Sequence, residues 1–412
     1  MDLISDITNA MKGSSRFGSI DAGYTYIGQM ISHDIVPITN PIHKTRNVTK
    51  ELNLDSLYGN EEARYFDHIG EFKTNNDKDL ARQGGVALIP ESRNDENVII
   101  AQLHLLWQRI HNKLLDKNKY AYNWAHARNL TTLLFQLIVV EDFLRQLLNY
   151  SVYNEYFRKN KTYLSLDTSA IPSVFSHAAF RFGHSMTRPS YRLHAGHVSG
   201  VGLIELIRAN QKLPDDFHID WNMFFGWPGS RHEQNANWID TKIDESMFEI
   251  PGSASGRVFN IPKLNLIAGV KLQLPTGMKL CNKYLKGKRG KKIQRLFSLM
   301  PLRSIIDKEL ASVPNLAIDN MPLWPYLLLE AKSEAKGNGL GVLGSLICAE
   351  VLLNSMKDSR YSIYRDGEYH YDEVIQRLGK LGEHISTVVA RNADKLEHRR
   401  FCMKLLLETL EL

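Results

Sequence analysis

The sequence predicts a mainly helical fold in one domain over residues 1–412. Several segments place apolar residues three or four positions apart, the period of a helix with one buried face. Alternating apolar and polar runs, which are typical of strands, are scarce. No repeat, low-complexity run or linker rich in Gly and Pro divides the chain. We expect residues 1–22 to form an N-terminal extension and residues 357–412 a C-terminal helical segment.

Two helices are predicted in the first half of the chain. Apolar residues recur along one face of residues 102–115, which fits a helix of about four turns. Residues 130–148 are more apolar, so we expect a largely buried helix with Asn129 as its N-cap. Further helical patterns cover residues 325–332, 344–356, 374–381 and 385–394.

The composition favours an ordinary globular protein. Hydrophobic residues make up 43% and charged residues 23%, and the formal charge of +6 is modest for 412 residues. It therefore does not favour nucleic acid or a membrane surface as a partner. Much of the positive charge lies in residues 283–295, which contain no acid and which we interpret as a solvated surface loop.

Cysteine content and targeting signals limit the possible classes further. Cys281, Cys348 and Cys402 are widely spaced, so they form neither a disulfide framework nor a CxxC metal motif. The N-terminus lacks the basic start and apolar stretch of a signal peptide, and no run of ~20 apolar residues predicts a membrane span. We expect a cytoplasmic protein, or one secreted without a classical signal peptide.

Three short segments carry candidate chemistry. In GQMISHD, a helix would place Gln29 and His33 side by side on one face. In AAFRFGH, Gly183 allows a flat ligand to approach, and Arg181 could pair with a carboxylate near His184. The third segment is ESRNDEN, at residues 91–97. Taken singly, each is more typical of a structural histidine or a capped, solvated turn.

Taken together, the order and spacing of these segments resemble the animal-type haem peroxidase superfamily, and its bacterial members most. The resemblance runs from about residue 23 to about residue 356. It implies a helical fold around a buried haem b, with hydrogen peroxide and a small reducing molecule as substrates. By this resemblance His33 is the distal acid and base catalyst, Gln29 orients distal water, and Arg93 stabilises negative charge as the O–O bond breaks.

The resemblance also assigns residues on the other side of the haem. His184 would bind the haem iron, Asn265 would accept the second N–H of its ring, and Arg181 would pair with a haem propionate. Family members form ester links to haem through two carboxylates. Ser32 stands at the first of these positions and cannot form an ester, whereas Glu96 stands at the second. We therefore expect at most one covalent link, through Glu96.

A calcium ion is a further implication of the resemblance. Its ligands would be oxygen atoms of five residues, a set that suits Ca²⁺ better than a transition metal. They are Asp34, Thr49, Glu51 (through its carbonyl), Asn53 and Asp55. The alternative is an ordinary turn rich in Asn and Asp, because the family more often has Asp where Asn53 stands.

The activity that follows is a peroxidase that oxidises small organic donors, and possibly halides. Family members often have Arg where Ala268 stands, so weaker electron withdrawal would favour organic donors over chloride. One alternative is a fatty-acid dioxygenase of the cyclooxygenase type, but such enzymes need a tyrosine where Arg181 stands. The other alternative is a haem-binding protein without turnover, against which the presence of Gln29, His33, Arg93 and His184 together argues.

Overall fold

Helices dominate the computed structural model, which describes residues 3–37, 48–61, 63–230, 234–252, 257–303, 310–397 and 399–412. The described strands are two to five residues long and form two-stranded pairs. The predicted mainly helical fold is therefore confirmed.

The α-helices, in chain order, are α1 (Leu3–Met11), α2 (Gly23–Ile35), α3 (Asp55–Tyr58), α4 (Val98–Leu115), α5 (Trp124–Ile138), α6 (Leu144–Leu147), α7 (Tyr150–Tyr153), α8 (Ser173–Ser176), α9 (Gly183–Met186), α10 (Leu203–Leu206), α11 (Ile261–Lys271), α12 (Gly277–Tyr284), α13 (Gly287–Phe297), α14 (Leu323–Ala335), α15 (Val342–Lys357), α16 (Tyr371–Arg377), α17 (Lys380–Arg391) and α18 (Met403–Leu410).

The strands are β1 (Lys12–Gly13), β2 (Phe17–Asp21), β3 (Thr74–Asn75), β4 (Asp79–Leu80), β5 (Arg82–Gln83), β6 (Val86–Ala87), β7 (Ser190–Tyr191), β8 (Val201–Gly202), β9 (Asn235–Asn237), β10 (Ile243–Asp244), β11 (Ile250–Pro251) and β12 (Val258–Phe259). Parallel pairing joins β1 to β10, and the other pairs are antiparallel: β2 with β9, β3 with β4, β5 with β6, β7 with β8 and β11 with β12.

The chain divides into two compact units, each built from three separate segments. The first unit comprises Met1–Thr25, Leu144–Pro189 and Asn235–Asn354. The second comprises Tyr26–Phe143, Ser190–Gln234 and Ser355–Leu412. The single domain predicted from sequence stays a prediction.

Residues 3–21 are built into the first unit. Ile7 and Met11 of α1 are fully buried, and β1 and β2 pair with β10 and β9. The predicted N-terminal extension is therefore structured over these residues. The segment 357–412 contains α16, α17 and α18.

Asparagine caps set the start of α4 and α5. The side chain of Asn97 accepts a hydrogen bond from the backbone N–H of Ile100, so α4 begins four residues before the predicted helix at 102. The side chain of Asn123 accepts from the N–H of His126 and starts α5. Asn129, predicted as this cap, lies inside α5, so that prediction is wrong.

A π-helical turn, Val139–Phe143, follows α5 directly and leads into α6. It contains Asp142, which is fully buried. The carboxylate of Asp142 accepts hydrogen bonds from the Arg399 guanidinium (2.5 Å) and from the backbone N–H of Met403 (2.8 Å). The turn therefore anchors the C-terminal segment of the second unit.

The basic run at 283–295 forms the end of α12 and most of α13. Gly290, Ile293 and Phe297 are buried on one face of α13, and the Phe297 ring packs edge-on against Tyr163 at 4.9 Å between centroids. The basic side chains of the run are exposed, as predicted. The predicted loop is wrong, because the spacing of the two apolar residues lets a helix bury one face.

Among the described residues, no helix has both the length and the apolar character needed to cross a membrane.

The start of α12 packs tightly against α14. A methyl group at Gly277 would lie 1.9 Å from Cγ of Tyr326, and the Tyr326 hydroxyl accepts a hydrogen bond from the backbone N–H of Leu302 at 3.0 Å. The ring is therefore held at both ends and has little room to move.

We expect Gly277→Ala to lower the free energy of unfolding by about 1 to 3 kcal/mol, the range for overpacking a core. Urea unfolding followed by circular dichroism measures the change. Gly202→Ala is the matched control, because Gly202 has φ −64° and no atom within 4 Å of the added methyl; its effect should stay within about 0.5 kcal/mol. Equal midpoints for the two variants would contradict this packing argument.

Two histidines are buried inside α4. His111 lies among the rings of Tyr58, Phe66 and Phe72, and its Nδ1 is 2.9 Å from the Tyr58 hydroxyl. Burial lowers the pKa of His111 to about 4 and that of His104 to about 3. Both imidazoles are therefore neutral in the folded protein at mildly acidic pH.

These histidines should make the protein sensitive to acid. Between pH 6.5 and pH 4 the unfolded chain binds a proton at each histidine that the folded protein does not, so stability falls as the pH is lowered. Each histidine contributes up to about 1.4 kcal/mol per pH unit in that window. We expect His111→Gln to reduce the slope of the unfolding free energy against pH by the amount that corresponds to about one bound proton. The exposed His126→Gln should leave the slope unchanged, and the same slope in both variants would contradict the assignment.

Candidate active site

The site begins with His33, which is buried near the end of α2. Its Nδ1 lies 2.8 Å from Oδ1 of Asn94, in the 3-10 turn Ser92–Asp95. A carboxamide oxygen only accepts, so Nδ1 of His33 carries the proton and the neutral ring has its lone pair on Nε2. The arrangement therefore fixes a tautomer suited to accepting a proton at Nε2.

Asn94 extends this contact to α4. Its Nδ2 donates to Nδ1 of His104 at 3.0 Å, and both side chains are fully buried. Asn94 therefore holds His33 from one end of the carboxamide while the other end is held by His104. The sequence argument did not single out Asn94. Its only signal was its position directly after Arg93.

Arg93 reaches the C-terminal end of α2. Its guanidinium donates to the backbone oxygens of His33 at 2.9 Å and of Val36 at 3.2 Å. It also pairs with the buried carboxylate of Glu91, at 2.9 and 3.0 Å. The carboxylate of Glu91 further accepts from the N–H of Arg93 and caps the turn. Arg93 thus joins the turn to α2, and its charge is already balanced by Glu91.

Gln29 and Glu96 complete the distal set. Gln29 lies one turn before His33 on α2 and is partly exposed. Glu96 follows the 3-10 turn, and burial raises its pKa to about 7, with Glu91 acting in the same direction and Arg93 opposing. Near neutral pH, the Glu96 carboxyl group is therefore protonated in a substantial fraction of the molecules.

The residues expected around calcium are largely bonded to the protein itself. Both oxygens of the buried Asp34 carboxylate accept backbone N–H groups, from Leu54 at 3.0 Å and Ser56 at 2.7 Å. Oδ1 of Asn53 accepts from the hydroxyl of Ser359 at 2.6 Å and from the N–H of Arg360 at 3.0 Å.

The remaining expected calcium ligands contact one another. Thr49 Oγ1 donates to Asp55 Oδ2 at 3.2 Å, and Asn53 Nδ2 donates to Glu51 Oε2 at 3.0 Å. The Arg128 guanidinium lies 3.6 Å from the Asp55 carboxylate and supplies positive charge there. These contacts do not fit a calcium ion, and calcium remains a prediction that they do not support.

The proximal set lies in the first unit, whereas the distal set lies in the second. His184 is in α9, directly after a 3-10 turn that contains Arg181. Asn265 of α11 places its Nδ2 2.7 Å from Nδ1 of His184, and its Oδ1 accepts from Arg181 at 2.7 Å. The indole N–H of Trp324 donates to the backbone oxygen of Arg181 at 3.2 Å and anchors the turn.

The polarity of the His184 contact differs from the expected one. The resemblance implies that Asn265 accepts a ring N–H, but here its amide nitrogen donates to Nδ1. The physical reason is Arg181, whose guanidinium can bond only to the amide oxygen and so turns the carboxamide nitrogen toward His184.

The electrostatics of the proximal set suit an anionic ligand with a metal centre. Burial lowers the pKa of His184 to about 3, and Arg181 adds to the effect, so the imidazole is neutral and able to ligate a metal. Burial alone lowers the pKa of Arg181 to about 10. The guanidinium bonds to the neutral oxygens of Ser176 and Asn265. An incoming carboxylate, such as a haem propionate, would therefore be favourable there, and the residues present fit haem.

Comparisons with known proteins identify the family. A family model described as animal haem peroxidase matches residues 43–400. Thyroid peroxidase of Homo sapiens is 32% identical over 118 residues, which are 27% of this chain and 12% of that protein. Thyroid peroxidase of Rattus norvegicus is 31% identical over 112 residues, or 26% of this chain and 12% of that protein. This chain thus matches a small part of those relatives.

Solved structures share the fold. Peroxidase A from Dictyostelium discoideum has a TM-score of 0.59 at 16% identity, covering 92% of this chain and 88% of that chain. Fatty acid alpha-dioxygenase from Oryza sativa has a TM-score of 0.66 at 13% identity, covering 95% of this chain and 78% of that chain. Because the family model covers most of its length, the chain belongs to the animal haem peroxidase family.

Proposed function

We propose that the protein is a haem-dependent peroxidase that reduces hydrogen peroxide with electrons from small organic donors. The observation that carries the proposal is the buried contact between His33 and Asn94. It holds the imidazole in the tautomer whose Nε2 can take a proton. A general base needs that protonation state and a fixed orientation, and the Asn94 contact supports both.

Each distal residue has a separate role in the reaction with peroxide. His33 takes a proton from one peroxide oxygen and returns it to the oxygen that departs as water. Since Glu91 balances the net charge of Arg93, it is the N–H groups of the guanidinium that stabilise the developing negative charge. Its contacts with Glu91 and with the carbonyls of α2 hold the guanidinium in place. Gln29, one turn before His33, orients water.

The proximal residues hold the cofactor. Haem, when bound, supplies the iron that exchanges electrons with peroxide and the donor. His184 would ligate the iron and Arg181 would pair with a haem propionate. With Arg181 so paired, the Asn265 carboxamide would be free to turn its oxygen toward His184 and accept the Nδ1–H of the ring.

The choice of reaction rests on particular residues. Arg181 stands where a cyclooxygenase-type dioxygenase needs a tyrosine, so we favour peroxidase over dioxygenase chemistry. Ser32 and Ala268 remove an ester link and a nearby positive charge. A haem with less electron withdrawal oxidises chloride less readily, so we propose phenol-like organic donors. We further propose one covalent link at most, through Glu96, with haem b otherwise held non-covalently.

The ultraviolet-visible spectrum of haem-reconstituted protein tests the proposal. The wild type should show a Soret band that shifts when hydrogen peroxide is added. His184→Ala should lose the band, because the iron loses its protein ligand. His33→Ala should keep the band but react with peroxide at least ~100-fold more slowly, the usual contribution of a general base.

The exposed His126→Ala is the control and should behave like wild type. Folding of each variant is checked by circular dichroism. Failure of folded wild type to take up haem would overturn the assignment. Haem uptake without any response to peroxide would leave only a haem-binding protein.

Donor oxidation separates the remaining activities. With peroxide present, we expect rapid oxidation of a phenol and slow oxidation of chloride at neutral pH, because the electron-withdrawing groups at positions 32 and 268 are missing. Palmitic acid should produce no oxygen uptake. Rapid chloride oxidation would refute the donor preference, and oxygen uptake that depends on the fatty acid would establish dioxygenase activity instead.

A further inference from the structure

Two loops of the second unit place three histidines and an aspartate together, and the proposed function uses none of them. His194 and His197 lie in the loop between β7 and β8. Asp216 and His218 lie in the segment that precedes the 3-10 turn at Trp221. Their spacing is H-x-x-H in one loop and D-x-H in the other.

The side chains converge on one carboxylate. Nε2 of His194 lies 3.2 Å from one oxygen of Asp216, and Nε2 of His197 lies 2.9 Å from the other. One ligand atom from each of the three residues lies within 4.8 Å of the other two. In a tetrahedral zinc site with bonds of ~2.0 to 2.1 Å, ligand atoms are about 3.3 Å apart. The two nitrogen–oxygen separations are close to this value, and the ligand atoms need to move by at most about 1.5 Å to meet it.

Backbone hydrogen bonds fix both loops. The N–H of His197 donates to the oxygen of His194 at 3.0 Å, and the N–H of Gly200 donates to the oxygen of His197 at 3.0 Å. The N–H of Asp220 donates to the oxygen of Leu193 at 2.8 Å and ties the two loops together. The convergence of the imidazoles thus rests on the fold of the loops, so that a metal would meet preorganised ligands.

Ring stacking adds a further constraint. The rings of His194 and His197 have centroids 4.2 Å apart, and His218 stacks on His194 at 4.3 Å with an interplanar angle of 5°. His218 therefore orients the His194 ring and acts as a positioning residue.

Charge and access favour a cation. With neutral imidazoles the three ligand residues carry a net charge of −1. The histidine side chains are 15% and 14% exposed and the Asp216 side chain is 72% exposed, so an ion can reach the cluster from solvent. Two imidazoles with one carboxylate suit zinc and neighbouring transition metals, whereas calcium and magnesium prefer oxygen ligands alone.

Ring protonation is compatible with metal binding. The N–H of Gly196 donates to Nδ1 of His194 at 3.0 Å, and Nε2 of His194 donates to the backbone oxygen of Asp216 at 3.0 Å, a bond that the metal would replace. A metal on Nε2 would place a proton on Nδ1, so this contact with the exposed residue Gly196 must open. Nδ1 of His197 has no hydrogen-bond partner in the described part of the chain, so no such contact must break there.

We propose that His194, His197 and Asp216 bind one divalent transition-metal ion, best fitted by Zn²⁺. Three protein ligands leave a fourth position for water. The ion joins the loop between β7 and β8 to the segment around Asp216, and its effect is to stabilise the second unit.

The pair of His370 and Glu368 provides a matched comparison. Nε2 of His370 lies 3.1 Å from the Glu368 carboxylate, also near the surface. It has the same histidine and carboxylate chemistry but contributes only one imidazole to the pair. If any surface pair of histidine and carboxylate could bind zinc, substitutions at His370 and at His197 would weaken zinc binding equally.

The experiment is calorimetric titration of the haem-loaded protein with Zn²⁺ after treatment with a chelator. We expect one tight site in wild type and at least tenfold weaker binding in both His197→Gln and Asp216→Asn. His370→Gln should bind as wild type does. Zinc should also raise the thermal midpoint of wild type and His370→Gln, but not of the two site variants.

Circular dichroism and the haem spectrum establish that the variants are folded. Absence of a stoichiometric site in wild type would overturn the proposal, as would unchanged affinity in either folded site variant. A loss of affinity in His370→Gln equal to that in His197→Gln would show dispersed surface binding and would also overturn it.

Discussion

The carboxamide of Asn94 is the contact on which the distal site depends. One short side chain from a 3-10 turn connects α2 to α4 by hydrogen bonds to His33 and His104. A buried carboxamide is costly unless both ends are bonded, so the three residues support one another. Because His104 is neutral, it can accept the amide N–H, and the amide oxygen is then directed at His33. His104 thus sets the tautomer of the proposed catalytic base His33 through Asn94, by a chain of two hydrogen bonds.

Arg93 and Arg181 show two ways of burying a guanidinium. Arg93 has a buried carboxylate partner in Glu91 as well as two backbone oxygens. Arg181 bonds to neutral oxygens, and desolvation depresses its pKa. The first arrangement is complete within the protein and fixes a charge. The second leaves a cation bonded to neutral oxygens, an arrangement that suits the proposed pairing with an anionic group of the cofactor.

Much of the fold could be predicted from the sequence because helical periodicity is a local property. The apolar repeats located α4, α5, α14 and α15, and the later helices within a few residues. Boundaries were less predictable, since a cap is decided by one side chain. Asn123 and Asn129 are equally plausible caps by residue type. Only the structure shows that the Asn123 side chain accepts a hydrogen bond from the backbone N–H of His126, in the first turn of α5.

The sequence predicts a set of candidate site residues but not the contacts that they make. Motif order singled out His33, Arg93, Arg181, His184 and Asn265. It did not reveal that Arg181 reverses the Asn265 amide, because hydrogen-bond polarity depends on a third residue in space. It also did not show that Asn53 turns its oxygen toward Ser359 and Arg360, far along the chain. Hydrogen bonds between residues far apart in the sequence produce no local sequence pattern from which they could be predicted.

The anchoring of Asp142 also bears on how the chain matures during synthesis. The π-helical turn is made early, but the Arg399 and Met403 groups that satisfy its buried carboxylate emerge from the ribosome more than 250 residues later. The second unit, assembled from three separate segments, can therefore become complete only after residues 355–412 have been synthesised. Until then the Asp142 carboxylate must stay hydrated, so the π-helical turn reaches its final packing late.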